Sequence, residues 1–404
     1  MRAVVQNVEG LEVVHTFGDA FARGRQHGEA LRDKIHAHFD HEWRNGFMRA
    51  SPLLPPAVFR AWARLQGHWL CPDERDELRG VAEGSGLAYD DVLVMNSAPP
   101  FEALRSLLGG GLVSACTQIA TRGIRGVLIG RNLDTVSAGG LAQAAVVMVS
   151  HPDRGCAFIT PGFAGKVLDA VTGWNAHGLV VSQDTSELRF ERFVGLYSGA
   201  LVRRLVMGCA DLTSVQRALR HAPPLCGGGR SFLAAREGDA AVFETAQRVI
   251  GPRHVSRRGW GEGGDAPDAL VLTNHYRTPR LATRPASVSS SARLARALAL
   301  VEGGIDDAEA MMAAMTDKID GALGEPRGRE RPSDRMICWY GDRVGGLGPF
   351  AVPADLEVRV ATRVSTVCDV PARVMWVGIG VDYVSESTHF RPIDVAAALS
   401  VPPC

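Results

Sequence analysis

In SACTQIATRGIRGVLIGRNLD, residues 114–134, Cys116 follows two small residues and stands eighteen positions before Asp134, with Arg131 and Asn132 just ahead of the aspartate. A cysteine is by default a small, inert hydrophobe, which suits Cys71, Cys156, Cys209, Cys226, Cys338, Cys368 and Cys404. Cys116 differs in its surroundings. Three glycines at 109–111 make a mobile approach to it, a hydroxyl (Thr117) follows it, and the polar cluster ends the next apolar run. Runs 116–121 and 126–131 read as two strands joined by a turn at 122–125. The returning strand then brings Arg131 and Asp134 back beside the cysteine.

A thiol of ordinary pKa, about 8.5, needs a base or a positive environment to act as a nucleophile at neutral pH. The sequence places no histidine for this task. A cut immediately before the cysteine solves the problem from within the chain, because the freed α-amine, of pKa about 8, serves as the base. Asn132 takes no role in this scheme.

Other candidates are weaker. His38 and His41 of IHAHFDHEW share a helix face, but His36 lies well round the wheel from His41, and no distant cluster completes a metal set. GVLIGRN lacks the glycine order that wraps phosphate, and LCGGGRSF (225–232) has no strand-to-helix context.

These residues must be positioned by a sizeable fold. With 46% hydrophobic and 22% charged residues the 404-residue chain has the composition of a globular protein. Its 44 basic and 44 acidic side chains balance, which sets aside a nucleic-acid partner. No apolar run reaches membrane-span length, the N-terminus lacks a signal-peptide core, and scattered cysteines without CxxC pairs fit a reducing, cytoplasmic setting. The first hundred residues read mainly helical, with apolar spacing over 26–43 and 57–70 and a short helix from Asp90. After Cys116 come short β-rich runs, at 126–130, 144–150, 156–160, 178–182, 231–235, 240–244 and 269–273, and two more close the chain. Helices are expected near 197–208, after a capping box at Thr213 and Gln216, and over 290–302 and 306–316. Residues 252–268 and 321–335 read as surface loops. Strand clusters punctuated by helix groups argue for layered, largely antiparallel sheets.

The same stretch resembles the processing site of the cysteine-type N-terminal nucleophile (Ntn) hydrolases, and in particular the acyl-coenzyme A:6-aminopenicillanic acid acyltransferase family. The resemblance runs in order through GRQHGEALRDKI, ELRGVAEGSGLAYDDVLVMNS, ACTQIATRGIRGVLIGRNLD, PGFAGKVLDAVTGWNAHGLVVSQDT, GGGRSFLAAREGDAAVFE and LTNHY, most of residues 18–300. It implies an α+β, four-layer αββα sandwich of two mostly antiparallel sheets, preceded by a helical pro-segment. Residues 1–115 would be that pro-segment and 116–404 the catalytic region, separated by self-cleavage between Ala115 and Cys116 and held together as an α/β heterodimer. Cys116 is then the nucleophile for both processing and catalysis. Asp134 falls on the aspartate that holds the new amino terminus, Asn274 on the donor to the tetrahedral oxyanion, and Arg131 on an arginine beside the nucleophile. Thr160, Phe163, Trp174, Gln183, Arg230, Arg293 and Trp339 are the candidate substrate contacts, and His275 reads as structural.

The implied chemistry is transfer of an acyl group from an amide or an acyl thioester such as acyl-coenzyme A to an amine or to water, in natural-product metabolism. No metal or cofactor is needed. Two departures stand out. Ala115 replaces the glycine often found before the nucleophile, and Trp339 occupies a position where the family carries an arginine after a cysteine, which argues against a penicillin-like substrate. Three rivals remain: a hydrolase restricted to N-acyl or β-alanyl amides, a papain-like thiol protease with a distant histidine, and an unprocessed, non-catalytic binding protein.

Overall fold

The computed structural model describes residues 1–101, 115–123, 125–186, 193–227, 229–247, 252–282, 285–326, 334–339, 342–343, 346–347, 350–380, 384–385 and 388–403. The glycines at 109–111 and part of the stretch 321–335 lie outside them.

The chain begins with two strands, β1 (Val4–Val8) and β2 (Leu11–Gly18), and continues with α1 (Ala20–Ala30) and α2 (Arg32–His38). A π-helix, Phe39–Phe47, leads on to α3 (Pro56–Gly67), α4 (Pro72–Ser85) and α5 (Tyr89–Met95). The hairpin β3 (Ala115–Gly123) and β4 (Gly126–Ser137) follows, then α6 (Leu141–Ala144) and four strands: β5 (Ala145–Pro152), β6 (Phe158–Phe163), β7 (Thr172–Asn175) and β8 (Val180–Ser186). Next come α7 (Ser198–Gly208), α8 (Leu212–Arg220), β9 (Gly229–Arg236), β10 (Asp239–Ala246), β11 (His254–Arg258) and β12 (Ala269–Leu272). Helices α9 (Val288–Glu302) and α10 (Ala308–Met315) precede three two-residue strands, β13 (Asp342–Arg343), β14 (Gly346–Leu347) and β15 (Phe350–Ala351). The chain closes with β16 (Arg359–Asp369), β17 (Val374–Ile379), β18 (Phe390–Asp394) and α11 (Val395–Leu399).

Two large sheets result, one ordered β1-β2-β5-β6-β7-β8-β9-β10-β11 and the other β12-β3-β4-β16-β17-β18 with β13 also paired to β16, while β14 and β15 form a separate two-stranded sheet. Among the described residues all their pairings are antiparallel except β2 with β5. Three apolar layers separate four structural ones. Ala120, Ile129, Val147, Trp174, Val180 and Leu270 pack between the sheets. Ile119, Leu128 and Val367 meet Met311 and Met315 of α10 on the outer face of the smaller sheet. Val14, Met148, Val181 and Phe232 meet Ile35, Phe39, Leu78 and Leu205 on the outer face of the larger one. The fold is therefore an α+β sandwich in αββα order.

Several expectations change. The pro-segment does not simply precede the sandwich. Its helices form much of one outer layer, and its β2, with alternating LEVVHTFG, enters the larger sheet beside β5. Residues 252–268 contain β11, which pairs with β10. Helix α8 is capped by Asp211 and Ser214, ahead of the Thr213 and Gln216 box, because the Asp211 carboxylate reaches Ser214 N–H at 2.7 Å. Helix α5 starts after Ala88, so Asp90 lies in its first turn.

Helices α1 and α4 cross closer than ordinary side chains permit, because the crossing is lined by glycine. A Cβ on Gly24 would stand 1.9 Å from the Glu77 carbonyl oxygen, one on Gly80 2.2 Å from that of Phe21, and one on Gly84 2.2 Å from that of Arg25. Beside the crossing, Glu77 of α4 receives Arg23 of α1 at 2.9 Å and Arg203 of α7 at 2.5 Å. Burial alone would raise the Glu77 pKa, but the two guanidinium groups outweigh it and hold the carboxyl below its ordinary value. A methyl at the crossing must push backbone from backbone, so Gly80→Ala is expected to cost about 2 to 3 kcal/mol, read by chemical denaturation.

Candidate active site

The β3–β4 hairpin forms in unbroken register, with Ala115 opposite Asp134, Cys116 opposite Leu133 and Gln118 opposite Arg131. Alternate residues point to opposite faces, so this register sorts the polar cluster. Residues 116, 118 and 120 face the space between the sheets with Arg131, since Ala120 and Ile129 belong to the layer there. Thr117, Asn132 and Asp134 face the α9–α10 layer, as Gly130 does against Met311 and Met315. Arg131 thus reaches the thiol, with Nη2 donating to Cys116 Sγ at 3.2 Å and to the Gln183 carbonyl at 3.4 Å. Asp134, three positions on, does not share that face. It sits behind Ala115, where its Oδ1 accepts from Thr362 Oγ1 at 2.5 Å. Both residues stand beside Cys116, but an odd spacing on the strand sends their side chains to opposite faces.

Cys116 is held at both backbone polar atoms. Its N–H donates to Asn274 Oδ1 at 3.2 Å, and its carbonyl accepts from Arg293 Nη1 at 2.5 Å. Arg293 also donates to Thr117 Oγ1 at 2.9 Å and to Asn274 Oδ1 at 2.5 Å, while Asn274 Nδ2 donates to the Thr185 carbonyl at 2.9 Å. An amide nitrogen has two hydrogens, so one Asn274 donor remains for a tetrahedral oxyanion. Arg293, a candidate substrate contact, instead reaches from α9 to the backbone of Cys116. His275 bonds Ser290 Oγ at 2.7 Å, a structural contact. Asn132 gains a structural role too, with Nδ2 donating to the carbonyls of Met315 at 2.7 Å and Ile337 at 2.9 Å.

Burial dominates the electrostatics. It pushes the Cys116 thiol up to about 12 against the opposing charge of Arg131, with Asp184 and Asp134 adding to the rise. Asp134 is pushed up to about 6 by burial, opposed first by Arg293, and Asp184 up to about 7 by burial, opposed first by Arg131.

A cavity of about 120 Å³ opens beside the thiol. Of the expected substrate contacts, Phe163, Gln183 and Arg230 line it and Thr160, Trp174 and Trp339 do not. Trp174 faces the layer between the sheets, Thr160 lies against the Gly173 and Val206 side of the larger sheet, and Trp339 is tied through its backbone to Thr362 at 2.8 Å. The opposite wall comes from the N-terminal helices, with His38, Glu42, Trp43 and Phe47. The π-helix supplies three of these, since i to i+5 bonding widens the turn and lines up residues four to five apart. Glu42 Oε2 accepts from Ser137 Oγ at 2.9 Å and Ala138 N–H at 3.0 Å, and burial pushes its carboxyl up to about 7. The first hundred residues also hold the turn after β6: Gly165 N–H donates to His27 Nε2 at 2.9 Å, His38 Nδ1 bonds the Ala164 carbonyl at 2.7 Å, and Asn96 bridges Gly165 and Leu168. A larger cavity, about 660 Å³, shares His38 but lies between α1, α2 and α6 away from the thiol, so the smaller one is the candidate site.

Sequence reasoning misses Asp184, Thr362 and the pro-segment wall. Asp184 carries one signal, since SQDTS ends an apolar strand in polar residues as RNLD does.

Comparison with known proteins adds a family. Residues 121–327, just over half of the chain, match the model of the acyl-coenzyme A:6-aminopenicillanic acid acyl-transferase family. No curated protein matches the chain. Among solved structures, an N-acylethanolamine-hydrolyzing acid amidase ortholog from Caenorhabditis elegans is 15% identical, covering 69% of this chain and 100% of its own, with a TM-score of 0.39. A mutant of conjugated bile acid hydrolase from Clostridium perfringens is 12% identical, with coverages of 70% and 93% and a TM-score of 0.40. Penicillin V acylase from Agrobacterium tumefaciens is 14% identical, with coverages of 66% and 83% and a TM-score of 0.36. The family match runs through Arg131, Asp134, Asn274 and Arg293. The chain belongs to the acyl-coenzyme A:6-aminopenicillanic acid acyl-transferase family.

Proposed function

We propose that this chain is a self-processing cysteine acyltransferase or amidohydrolase, cut between Ala115 and Cys116, that carries its acyl intermediate on the Cys116 thiol. The observation that carries this reading is the double grip on Cys116. Asn274 Oδ1 accepts from its nitrogen and Arg293 holds its carbonyl, so the residue stays fixed once it becomes a chain terminus. Arg131 at 3.2 Å from Sγ supplies the positive environment a thiolate needs.

In the first half-reaction the freed α-amine of Cys116 takes the thiol proton while Sγ attacks the donor carbonyl. The second Asn274 N–H donates to the oxyanion; one such donor is typically worth about 3 kcal/mol of barrier. The donor's amine or thiol leaves with the proton, and an acyl-Cys116 thioester remains. In the second half-reaction an amine or water takes the acyl group and Sγ regains its proton. The small cavity, with Trp43, Phe47 and Phe163 beside Lys166, Asp169 and Arg230 in its walls, suits a compact acyl group with both apolar and polar parts. Acyl-coenzyme A would enter only as a substrate. The thiol must stay reduced, which suits the cytoplasm.

Denaturing mass spectrometry tests processing. The wild-type protein should give fragments 1–115 and 116–404, and Cys116→Ala should stay one inactive chain. A Cys116→Ala protein that still yields a chain starting at residue 116 would overturn the autocatalytic account, and an intact wild type resistant to alkylation would favour a non-catalytic binding protein. Incubation with a panel of acyl amides and acyl thioesters should add the acyl mass to Cys116. Arg131→Met removes the foremost opposing positive charge, so the thiol pKa should rise and alkylation near pH 8 should slow roughly tenfold.

A further inference from the structure

Self-cleavage and turnover do not share a base. The α-amine that serves turnover is, in the uncut chain, a peptide nitrogen whose hydrogen already goes to Asn274. Something else must accept the thiol proton the first time. Asp134 is poorly placed to do so, because the pleat of β4 turns it to the α9–α10 side of the sheet, where Thr362 holds it. The thiol faces the other way, toward β8 of the facing sheet.

On that strand Ser182 and Asp184 point at β3, since Val180 on the same face belongs to the layer between the sheets. Ser182 Oγ hydrogen-bonds Gln118 Oε1, which fixes the two strands against each other, and Cys116 is the next residue on the Gln118 face. Asp184 is 1% exposed, and neither of its carboxylate oxygens completes a hydrogen bond; the Gln118 amide is near it without completing one. The charged and titratable groups around it are Cys116 on β3, Arg131 and Asp134 on β4 and Arg293 on α9, and its neighbour across β9 is Ser231. A buried carboxylate with only the Gln118 amide close to it is costly to keep charged.

We propose that Asp184 is the proton acceptor for the Cys116 thiol during self-cleavage, acting through one water molecule; this rests on the self-processing reading above. The thiol proton passes through the water to the Asp184 carboxylate as Sγ bonds to the carbonyl carbon of Ala115. Collapse of the oxyanion breaks the bond from that carbon to Cys116 N, and the same proton is returned to the departing nitrogen. The peptide has then become a thioester and a free amine, with Asp184 unchanged. A second water hydrolyses the thioester, leaving the Ala115 carboxylate, the regenerated thiol and one released proton. Asp184 is then free of proton duty, and turnover passes to the α-amine.

The sign of the pH dependence follows from the charge of the base. Burial brings Asp184 to about 7, so it accepts a proton only above that pH, and cleavage should rise to a plateau with its midpoint near pH 7. The test is a short pulse of cell-free synthesis of the full chain, with the cut fraction followed by denaturing mass spectrometry between about pH 5 and 9. Asp184→Asn should cleave at least roughly a hundredfold more slowly and without the midpoint, while Asp184→Glu should recover part of the rate and keep it. A wild type that never cleaves overturns both this inference and the self-processing reading. A cleaving wild type with Asp184→Asn within threefold of it, and with the same profile, overturns the role of Asp184 alone. If thermal melting shows that Asp184→Asn does not fold, Asp184→Glu decides: cleavage with the midpoint supports the role, and cleavage without it ends the proposal.

Discussion

The pleat of one hairpin organises this molecule. Because β3 and β4 pair without a register shift, Cys116, Gln118 and Arg131 are delivered to the space between the sheets, and Thr117, Asn132 and Asp134 to the helices behind. A slip of one residue would exchange the two sets and bury the thiol under α10. Much else in the molecule maintains that assignment. Asn132 pins β4 to α10 and to Ile337, Arg293 reaches through from α9 to the Cys116 carbonyl, and Ser182 clamps β8 onto Gln118.

The Cys116 thiol therefore sits in a low-dielectric seam, among a few fixed charges. Burial raises the thiol and both neighbouring aspartates, and Arg131 is the foremost opposing charge for the thiol and for Asp184. One guanidinium serving two groups means that changes at either carboxylate or thiol are felt by the other. Such clusters are non-additive, and double-mutant cycles at Arg131 and Asp184 are the means to apportion them.

How much of this is legible in the sequence depends on the range of the interaction. The hairpin is, because glycines, short apolar runs and a turn are local signals, and with it the contact of Arg131 with Cys116. The face of Asp134 needs only the two-residue period, but proximity along the chain is a poor guide where odd spacing decides. Asn274 is located by its order after a β-rich run. Arg293 looks like a solvated helix residue because nothing local shows that its helix caps the nucleophile's backbone. Thr160 and Trp174 lie in the right segments yet point away from the cavity, which spacing from a related family does not reveal. Asp184 escapes notice because an acid at a strand end usually faces water. The pro-segment's strands are hidden by its stronger helical periodicity, and the parallel pairing of β2 with β5 is set by contacts more than a hundred residues apart.

The sharing of one sheet by β2 and β5 has a thermodynamic consequence. A chain cut after Ala115 would keep a single core, with Val13 and Val14 of the first piece inside two different apolar layers of the second. The two pieces could not part without exposing those layers and an open sheet edge, so separating them and unfolding them would be the same event. Cutting would leave every contact in place and yet make refolding bimolecular. The stability of the mature protein would then fall on dilution, as that of the uncut chain would not.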